Sequence, residues 1–246
     1  MIRKIFMNAL CGAGIAALLA VPGSAQNDFR LGIFVTPVPN APMSAMAVLE
    51  TSRSLQDGTT ERFKSPGIIA RDSSGRIYNE LRRLVPFDFP DAAPLVSAHV
   101  FDPTTGISVF FNQAQHLARQ TKQPLRPDWE HTAGLPSAPP PTPGHEPAVR
   151  QEDLGTQVME NVTVRGVRIS RTLPANVTGT GQPLVVTDEY WYSDDLHLNM
   201  LVKHNDPRSG EQTMTVTGLK RGEPAPQLFA VPSGYKVVDE TPPAAK

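Results

Sequence analysis

Cysteine is almost absent from this chain. Its single cysteine, Cys11, lies in an N-terminal segment that we expect to be removed from the mature protein. The remaining chain has no thiol, which excludes disulfides, thiolate metal sites and a cysteine nucleophile. Such a chain depends on an ordinary hydrophobic core, and this one is long enough to bury one.

Concentrated positive charge is also lacking. The sequence has 23 basic residues, two of them in the N-terminal segment, and 24 acidic residues, and no run of Lys or Arg occurs. The sequence therefore has no basic cluster of the kind that binds nucleic acid or anionic lipid. No second apolar stretch reaches the length of a membrane span. We expect no nucleic-acid partner, and contact with a membrane only through an uncleaved N-terminal segment.

Familiar catalytic motifs are missing as well. We find no GxSxG, HExxH, GxxxxGK or paired CxxC motif, and no GxGxxG after a predicted strand. No two of the six histidines are three or four residues apart, and the closest pair, His197 and His204, would face opposite sides of one strand. The sequence predicts no catalytic residue, no metal site and no cofactor, and so a protein that is not an enzyme.

The N-terminus has the order of a secretory signal peptide. Arg3 and Lys4 precede an apolar run from Ile5 to about Val21, and Gly23-Ser24-Ala25 follows. We expect cleavage after Ala25 and a periplasmic or secreted protein. A retained membrane anchor is the alternative, because the apolar run is only slightly shorter than the roughly 20 residues of a spanning helix.

Proline divides the rest of the chain. Residues 26–44 contain three closely spaced prolines that interrupt regular structure, which predicts an extended N-terminal arm. Residues 45–246 are expected to form a single β domain with a proline-rich insert at 121–150. The insert contains LPSAPPPTPGHEP and should be an exposed polyproline-like loop, or else a ligand for a proline-recognising partner.

Short alternating runs cut by turn motifs predict a mainly β fold. Asp57-Gly58 is a strong hairpin signal, and DPTTG at 102–106 is echoed by DPRSG at 206–210. Ser65-Pro66-Gly67 predicts a bulge or an edge position, and 112–120 predicts one or two helical turns. We count about five strands in each half, hence about ten strands and few short helices.

The stretch DEYWYSDDLHLNML, 188–201, concentrates aromatic and acidic residues. We interpret it as a hairpin with a two-residue turn at Asp194-Asp195. Trp191 then lies inward with the leucines and Met200, while Tyr190, Tyr192 and His197 face solvent.

This register places Glu189 opposite Met200, on the apolar side. A buried Glu189 would have a raised pKa and would be the best general-acid candidate in the chain. A rim position, or a shifted register, is the alternative.

The C-terminal run from EYWYSDD to PSGYKV resembles the end of periplasmic lipoprotein-carrier-like (Lol-type) and sigma-regulator-like half-barrel domains. With Asp57-Gly58, the RDSSGR turn at 71–76 and DPTTG, it also resembles a group of uncharacterised secreted bacterial proteins. The resemblance covers roughly 45–120 and 150–238 and implies a strongly curved antiparallel sheet, open on one side. In the carriers the concave face holds acyl chains under helical lids, whereas this chain has a proline-rich insert and no obvious lid helices.

We therefore expect a non-enzymatic β protein that binds an apolar ligand, lipid or acyl chain, or an envelope partner on its concave face. The candidate ligand-binding residues are Trp191, Leu198, Met200 and Glu189. The alternative is a structural or interaction protein of the cell envelope that uses the proline-rich loop.

Overall fold

The computed structural model describes residues 35–122, 134–138 and 149–242, and these ranges are almost entirely β-structure. Strand makes up 59% of the structure and helix 4%, in one large, curved and unclosed antiparallel sheet of thirteen strands within the described ranges. The expected mainly β, open and strongly curved fold is confirmed.

Seven strands precede the proline-rich insert and six follow it, among the described residues. The first seven are β1 (Met43–Ser54), β2 (Thr60–Arg71), β3 (Ile77–Arg82), β4 (Val85–Pro86), β5 (Leu95–Asp102), β6 (Ile107–Asn112) and β7 (Leu117–Lys122). The others are β8 (Val149–Met159), β9 (Val162–Leu173), β10 (Leu184–Ser193), β11 (Leu198–Asp206), β12 (Gly210–Arg221) and β13 (Lys236–Asp239). A helical turn, α1 (Ala175–Thr178), and a 3₁₀ turn at Pro226–Phe229 complete the elements.

The two halves of the chain share this sheet. Its order is β13-β7-β6-β5-β3-β2-β1-β12-β11-β10-β9-β8, with β4 beside β2. The antiparallel pairing of β1 with β12 joins the halves. The short C-terminal strand β13 returns to the other end of the sheet and pairs in parallel with β7.

Aspartate and glycine set the turns that the sequence predicts. Gly58 has a φ of 83° between β1 and β2. In the two DPxxG turns, Asp102 Oδ1 accepts the Thr104 N–H at 2.8 Å and Asp206 Oδ1 accepts the Arg208 N–H at 2.9 Å. The final glycine of each turn takes a positive φ, which glycine adopts without steric cost. The two motifs therefore form equivalent turns, β5–β6 and β11–β12.

The Ser65-Pro66-Gly67 segment lies inside a continuous strand, so the predicted bulge is wrong, but on one side it is unpaired, as at the predicted edge position. β2 pairs with β1 along its whole length. On its other side it pairs with β4 at 63–64 and with β3 at 69–71, so Pro66, which has no N–H, falls in the gap between them. A Cβ at Gly67 would lie 2.6 Å from the Glu80 carbonyl oxygen, so this close approach requires glycine.

The helical turns predicted at 112–120 are wrong. Residues 113–116 form the turn between β6 and β7, and β7 begins at Leu117. His116 has a φ of 48°, a left-handed conformation that ends any right-handed helical run.

Each face of the sheet carries its own buried cluster. The face that we call the Met200 face holds the larger cluster, which includes Met43, Ile69, Leu198, Met200 and Val216. The opposite face, the Tyr78 face, holds a smaller cluster in the first half, which includes Ala70, Tyr78, Val100 and Phe111. Adjacent residues such as Ile69 and Ala70 belong to different clusters because side chains alternate along a strand.

The Met200 face is the concave one where β2 approaches the β10–β11 turn. Arg71, on β2, is fully buried and donates hydrogen bonds to the carbonyl oxygens of Thr36, Ala41 and Leu196 at 2.7 to 2.8 Å. Between β2 and β11 lie β1 and β12, a separation of roughly 14 Å in a flat sheet. One side chain spans this gap only because the sheet curls, and the turn folds, toward the Met200 face.

Two segments outside the strands also cover this face. Val35 and Val38 of the N-terminal arm are buried, and Leu135 from the described part of the proline-rich insert packs against the Met200 cluster. Residues 26–34 of the predicted arm, residues 123–133 and 139–148 of the predicted insert, and the predicted signal peptide lie outside the described residues.

Candidate functional site

The 188–201 stretch forms a hairpin, but in a different register from the one predicted. Ser193 pairs with Leu198, so the turn has four residues, Asp194 to His197, instead of two. His197 adopts a left-handed φ of 49°, and the register shifts between Trp191 and Tyr192. The two-residue turn and the pairing built on it are therefore wrong.

The inward position predicted for Leu198 and Met200 is confirmed. Their exposed fractions are 1% and 0%, and both belong to the Met200 cluster. The predicted exposure of Tyr190 and Tyr192 is wrong, since both rings are buried. Leu198 and Met200 are therefore core residues in this structure.

Glu189 and Trp191 hold one another in place. Glu189 pairs with Lys203, not Met200, and it alternates with buried Tyr190. Trp191 Nε1 donates to Glu189 Oε1 at 2.7 Å, and Arg168 Nη2 donates to Glu189 Oε2 at 2.9 Å. Both carboxylate oxygens are thus occupied by hydrogen-bond donors. Glu189 bridges β9 and β10 in a shifted register, which was the alternative to a buried acid opposite Met200.

The carboxylate that the hairpin buries is its neighbour, Asp188. Asp188 is 8% exposed, its Oδ1 lies 2.6 Å from His204 Nδ1, and its Oδ2 accepts a 2.5 Å hydrogen bond from Arg171. This ion-pair cluster joins β9, β10 and β11 on the Met200 face. Across the described ranges, no group of three or more His, Cys, Asp or Glu side chains is placed to hold a metal ion.

A half-open cleft of about 360 Å³ lies on the Tyr78 face. We call it the Tyr235 cleft. Strands β3, β5 and β6 supply its floor, and the segment from the 3₁₀ turn to Tyr235 supplies its opposite wall. Its apolar and aromatic lining consists of Tyr78, Leu95, Ala98, Phe111, Leu228, Ala230, Pro232 and Tyr235. The volume is about twelve times the roughly 30 Å³ that a water molecule occupies in the liquid.

Aromatic contacts fix the wall of this cleft to its floor. The Tyr235 ring meets Phe111 edge to face, with centroids 6.0 Å apart, and tilts against His116 at 5.5 Å. The Tyr235 hydroxyl donates to Gln113 Oε1 at 2.5 Å. The parallel β13–β7 ladder begins at the next residue, Lys236, which anchors the wall to the sheet.

The cleft has an apolar floor and a polar rim without formal charge. Tyr78, Ala98 and Phe111 at the floor are buried. The rim residues Gln113, His116, Gln227 and Ser233 are exposed, and none of the described residues that line the cleft is Asp, Glu, Lys or Arg. The arrangement is suited to a molecule that buries an apolar body and keeps an uncharged polar group at the mouth.

Charges beside the floor neutralise one another. Glu80 accepts hydrogen bonds from the Tyr78 hydroxyl at 2.9 Å, from Arg82 Nε at 2.8 Å and from the Ile68 N–H at 3.1 Å. Burial, and to a smaller degree the nearby Glu80 carboxylate, raise the pKa of Tyr78. Tyr78 therefore stays protonated and presents a neutral ring to the cleft.

Little in the sequence signals the Tyr235 cleft or the buried Asp188 cluster. The cleft joins strands before 113 to a segment after 226, and no local motif couples such distant residues. Asp188 stands in the same alternating set as Val186, Tyr190 and Tyr192, and that alternation would have marked it as the inward acid once the tyrosines were recognised as core.

No family model and no curated protein matches this chain. Solved structures do match. An uncharacterized conserved protein from Thermus thermophilus has a TM-score of 0.40 and 11% identity, over 80% of this chain and 90% of that one. MucB of Pseudomonas aeruginosa, in its complex with MucA, has a TM-score of 0.38 and 13% identity, over 80% of this chain and 58% of that one.

A third match is described as an outer membrane lipoprotein-sorting protein domain, from Vibrio parahaemolyticus. It has a TM-score of 0.27 and 10% identity, over 76% of this chain and 88% of that one. The matches thus include a lipoprotein-sorting domain, one of the kinds of structure that the sequence resembles. At TM-scores below 0.5 they carry no functional inference. In the described ranges, no helix has the length and hydropathy of a membrane span.

Proposed function

We propose that this chain is an exported, non-enzymatic binding protein that holds a small apolar ligand, of the lipid or acyl-chain class, in the Tyr235 cleft. The observation that carries the proposal is the cleft itself, which is half open, about 360 Å³ in volume and floored by Tyr78, Ala98 and Phe111. Ligand sites are commonly concave, mostly apolar and of this size, with a few polar groups at their edge.

The Met200 face is the less suitable of the two faces. Where the sheet curls, its own side chains fill the space, and Met43, Leu196, Leu198 and Met200 are each no more than 1% exposed. A ligand there would have to displace packed core side chains, whereas the Tyr235 cleft is already open. The sequence led us to expect the ligand on the concave face. We propose instead that it binds on the opposite face, the Tyr78 face.

The predicted export signal at residues 1–25 supports a periplasmic or secreted location for this activity. Lipids and other apolar molecules need a protein to shield them from water in such a compartment. A protein that only binds also needs no catalytic constellation, which agrees with the occupied carboxylate of Glu189.

Displacement of a neutral fluorescent probe, N-phenyl-1-naphthylamine, tests the proposal. We expect the purified protein to bind the probe and to release it when apolar molecules are added. Ala230→Trp places a large ring on the exposed rim and should weaken probe binding at least tenfold. Val231→Trp, at the neighbouring exposed position outside the lining, is the matched control.

Mass spectrometry of lipid extracted from the protein, purified from its own export pathway, gives the ligand's identity. Failure of the probe to bind, together with recovery of no apolar molecule, would contradict the proposal. Equal binding by the Ala230→Trp and Val231→Trp variants would also contradict it, because the probe would then lie elsewhere.

A further inference from the structure

The Tyr235 cleft separates its polar and apolar lining. The floor contains buried Tyr78, Ala98 and Phe111, and the mouth contains exposed Gln113 and Gln227, with His116 and Ser233 beside them. A bound molecule is therefore offered an apolar bottom and hydrogen-bonding groups at the top. An amphiphile satisfies both parts, whereas a pure hydrocarbon leaves the mouth unused.

The amide groups at the mouth serve neutral ligands well. Gln227 and Gln113 each carry one acceptor oxygen and an NH₂ donor, and the Ser233 hydroxyl both donates and accepts. A ligand alcohol or amide can donate to these groups or accept from them, and a ligand ester can accept from them. Gln113 Oε1 already accepts from Tyr235, which leaves its NH₂ group available at the rim.

Alternation in β7 and β13 directs two nearby cations, Arg119 and Lys236, to the face away from the cleft, while Glu80 and Arg82 on the cleft's own face pair with each other. Val237 pairs with Ala118, whose side chain belongs to the Tyr78 face, so neighbouring Lys236 projects to the other face. Arg119 likewise alternates with Ala118, and it pairs with Glu240 at 2.7 Å. The acid beside the floor, Glu80, is engaged by Tyr78 and Arg82.

We infer that the Tyr235 cleft selects uncharged amphiphiles, such as fatty alcohols and neutral acyl esters, over fatty-acid carboxylates. The inference rests on the proposed function and specifies its ligand. A carboxylate at this mouth would meet amides, a hydroxyl and the His116 imidazole, but no Lys or Arg side chain from the described lining, and it would lose water without gaining a fixed counter-charge. A neutral head group of the same size loses far less hydration free energy when it enters the mouth.

The test compares 1-octanol with octanoate, which share one chain length, in displacing N-phenyl-1-naphthylamine from the full-length protein at pH 8. We expect 1-octanol to bind at least tenfold more tightly than octanoate. Equal affinities would overturn the selectivity and leave the proposed binding function intact. No probe binding and no displacement by either molecule would overturn both.

A charge-adding variant separates selectivity at the mouth from simple hydrophobic partition. Gln227→Lys places a cation on the exposed rim, and the octanoate-to-octanol affinity ratio should rise at least tenfold. Gln157→Lys, at an exposed position on β8 far from the lining, should leave that ratio at its original value. An unchanged ratio in Gln227→Lys would overturn the assignment of the polar head to this mouth.

Discussion

The Arg71 guanidinium donates a 2.7 Å hydrogen bond to the Leu196 carbonyl oxygen, across the two strands that separate them in the sheet. Thr36 and Ala41 of the N-terminal arm receive its other hydrogen bonds. Burial lowers the pKa of Arg71 to about 10, which still leaves it cationic at neutral pH. One side chain thus ties together the arm, β2 and the β10–β11 turn.

Replacement of Arg71 by Met should cost about 3 kcal/mol or more of unfolding free energy. Three buried carbonyl oxygens would lose their donor, and each such loss costs roughly 1–3 kcal/mol. Urea denaturation measures the change. Arg53→Met, which removes an exposed arginine paired with Glu61, should change stability by less than about 1 kcal/mol. Equal effects of the two variants would refute this role of Arg71.

His99 should make the fold sensitive to acid. Its ring stacks on Phe110 with centroids 4.2 Å apart, Nε2 lies 2.7 Å from Ser108 Oγ, and burial lowers the pKa of His99 to about 4. The unfolded chain takes up this proton near pH 6.5, while the folded chain does not until about pH 4. The contribution of His99 to the free energy of unfolding is therefore present above pH 6.5 and is lost as the pH falls to about 4.

The size of this effect is up to about 3 kcal/mol, from the difference between the two pKa values. Unfolding free energies of wild type and His99→Gln, measured from pH 7 to pH 4, should converge as the pH falls. An NMR titration of His99 should show its midpoint well below 6. Parallel curves for wild type and His99→Gln would contradict the prediction.

Gly166 should tolerate no side chain while Trp191 is present. A Cβ there would lie 2.6 to 2.8 Å from three atoms of the indole ring. Gly166→Ala should cost about 1–3 kcal/mol, as overpacking does. Combination with Trp191→Leu should recover much of that cost, and a double-mutant cycle by urea denaturation measures the coupling. Strictly additive changes would show that the ring is not what excludes the methyl group.

Asp188→Asn should destabilise the protein by about 1–3 kcal/mol. The change weakens the bonds to Arg171 and His204 that a nearly buried carboxylate accepts. Asp194→Asn removes a carboxylate paired with Arg165 at a site where both side chains are more than half exposed, and it should cost less than about 1 kcal/mol. Thermal and urea unfolding compare the two, and the reverse order would argue against the buried cluster.

Turns were the most predictable part of the fold. Asp57-Gly58 and the two DPxxG motifs act through their own side chains and φ angles, so local sequence specifies them. The 188–201 hairpin was predicted as a hairpin but in the wrong register. Asp194-Asp195 is a plausible two-residue turn, and only the left-handed His197 and the shift after Trp191 place Ser193 opposite Leu198.

The Tyr235 cleft could not be predicted from the sequence, because its floor and its wall come from segments that are distant in the chain. Alternation in β5 and β6 assigns Ala98 and Phe111 to one face, but nothing in those strands indicates what covers them. The cover comes from Leu228 and Tyr235, which lie more than a hundred residues later and return through the parallel β13–β7 pairing. A contact between segments so distant in sequence depends on the whole topology of the sheet.

The pairing of β1 with β12 also bears on how the chain folds. Met43 pairs with Arg221, so an early strand gains its second neighbour only when the last third of the chain is available. Until then one edge of β1 is open to any other extended segment, and sheets with such distant pairings fold slowly. A chain cut short before Gly210 would retain that open edge permanently, so truncated products should aggregate instead of accumulating as folded fragments.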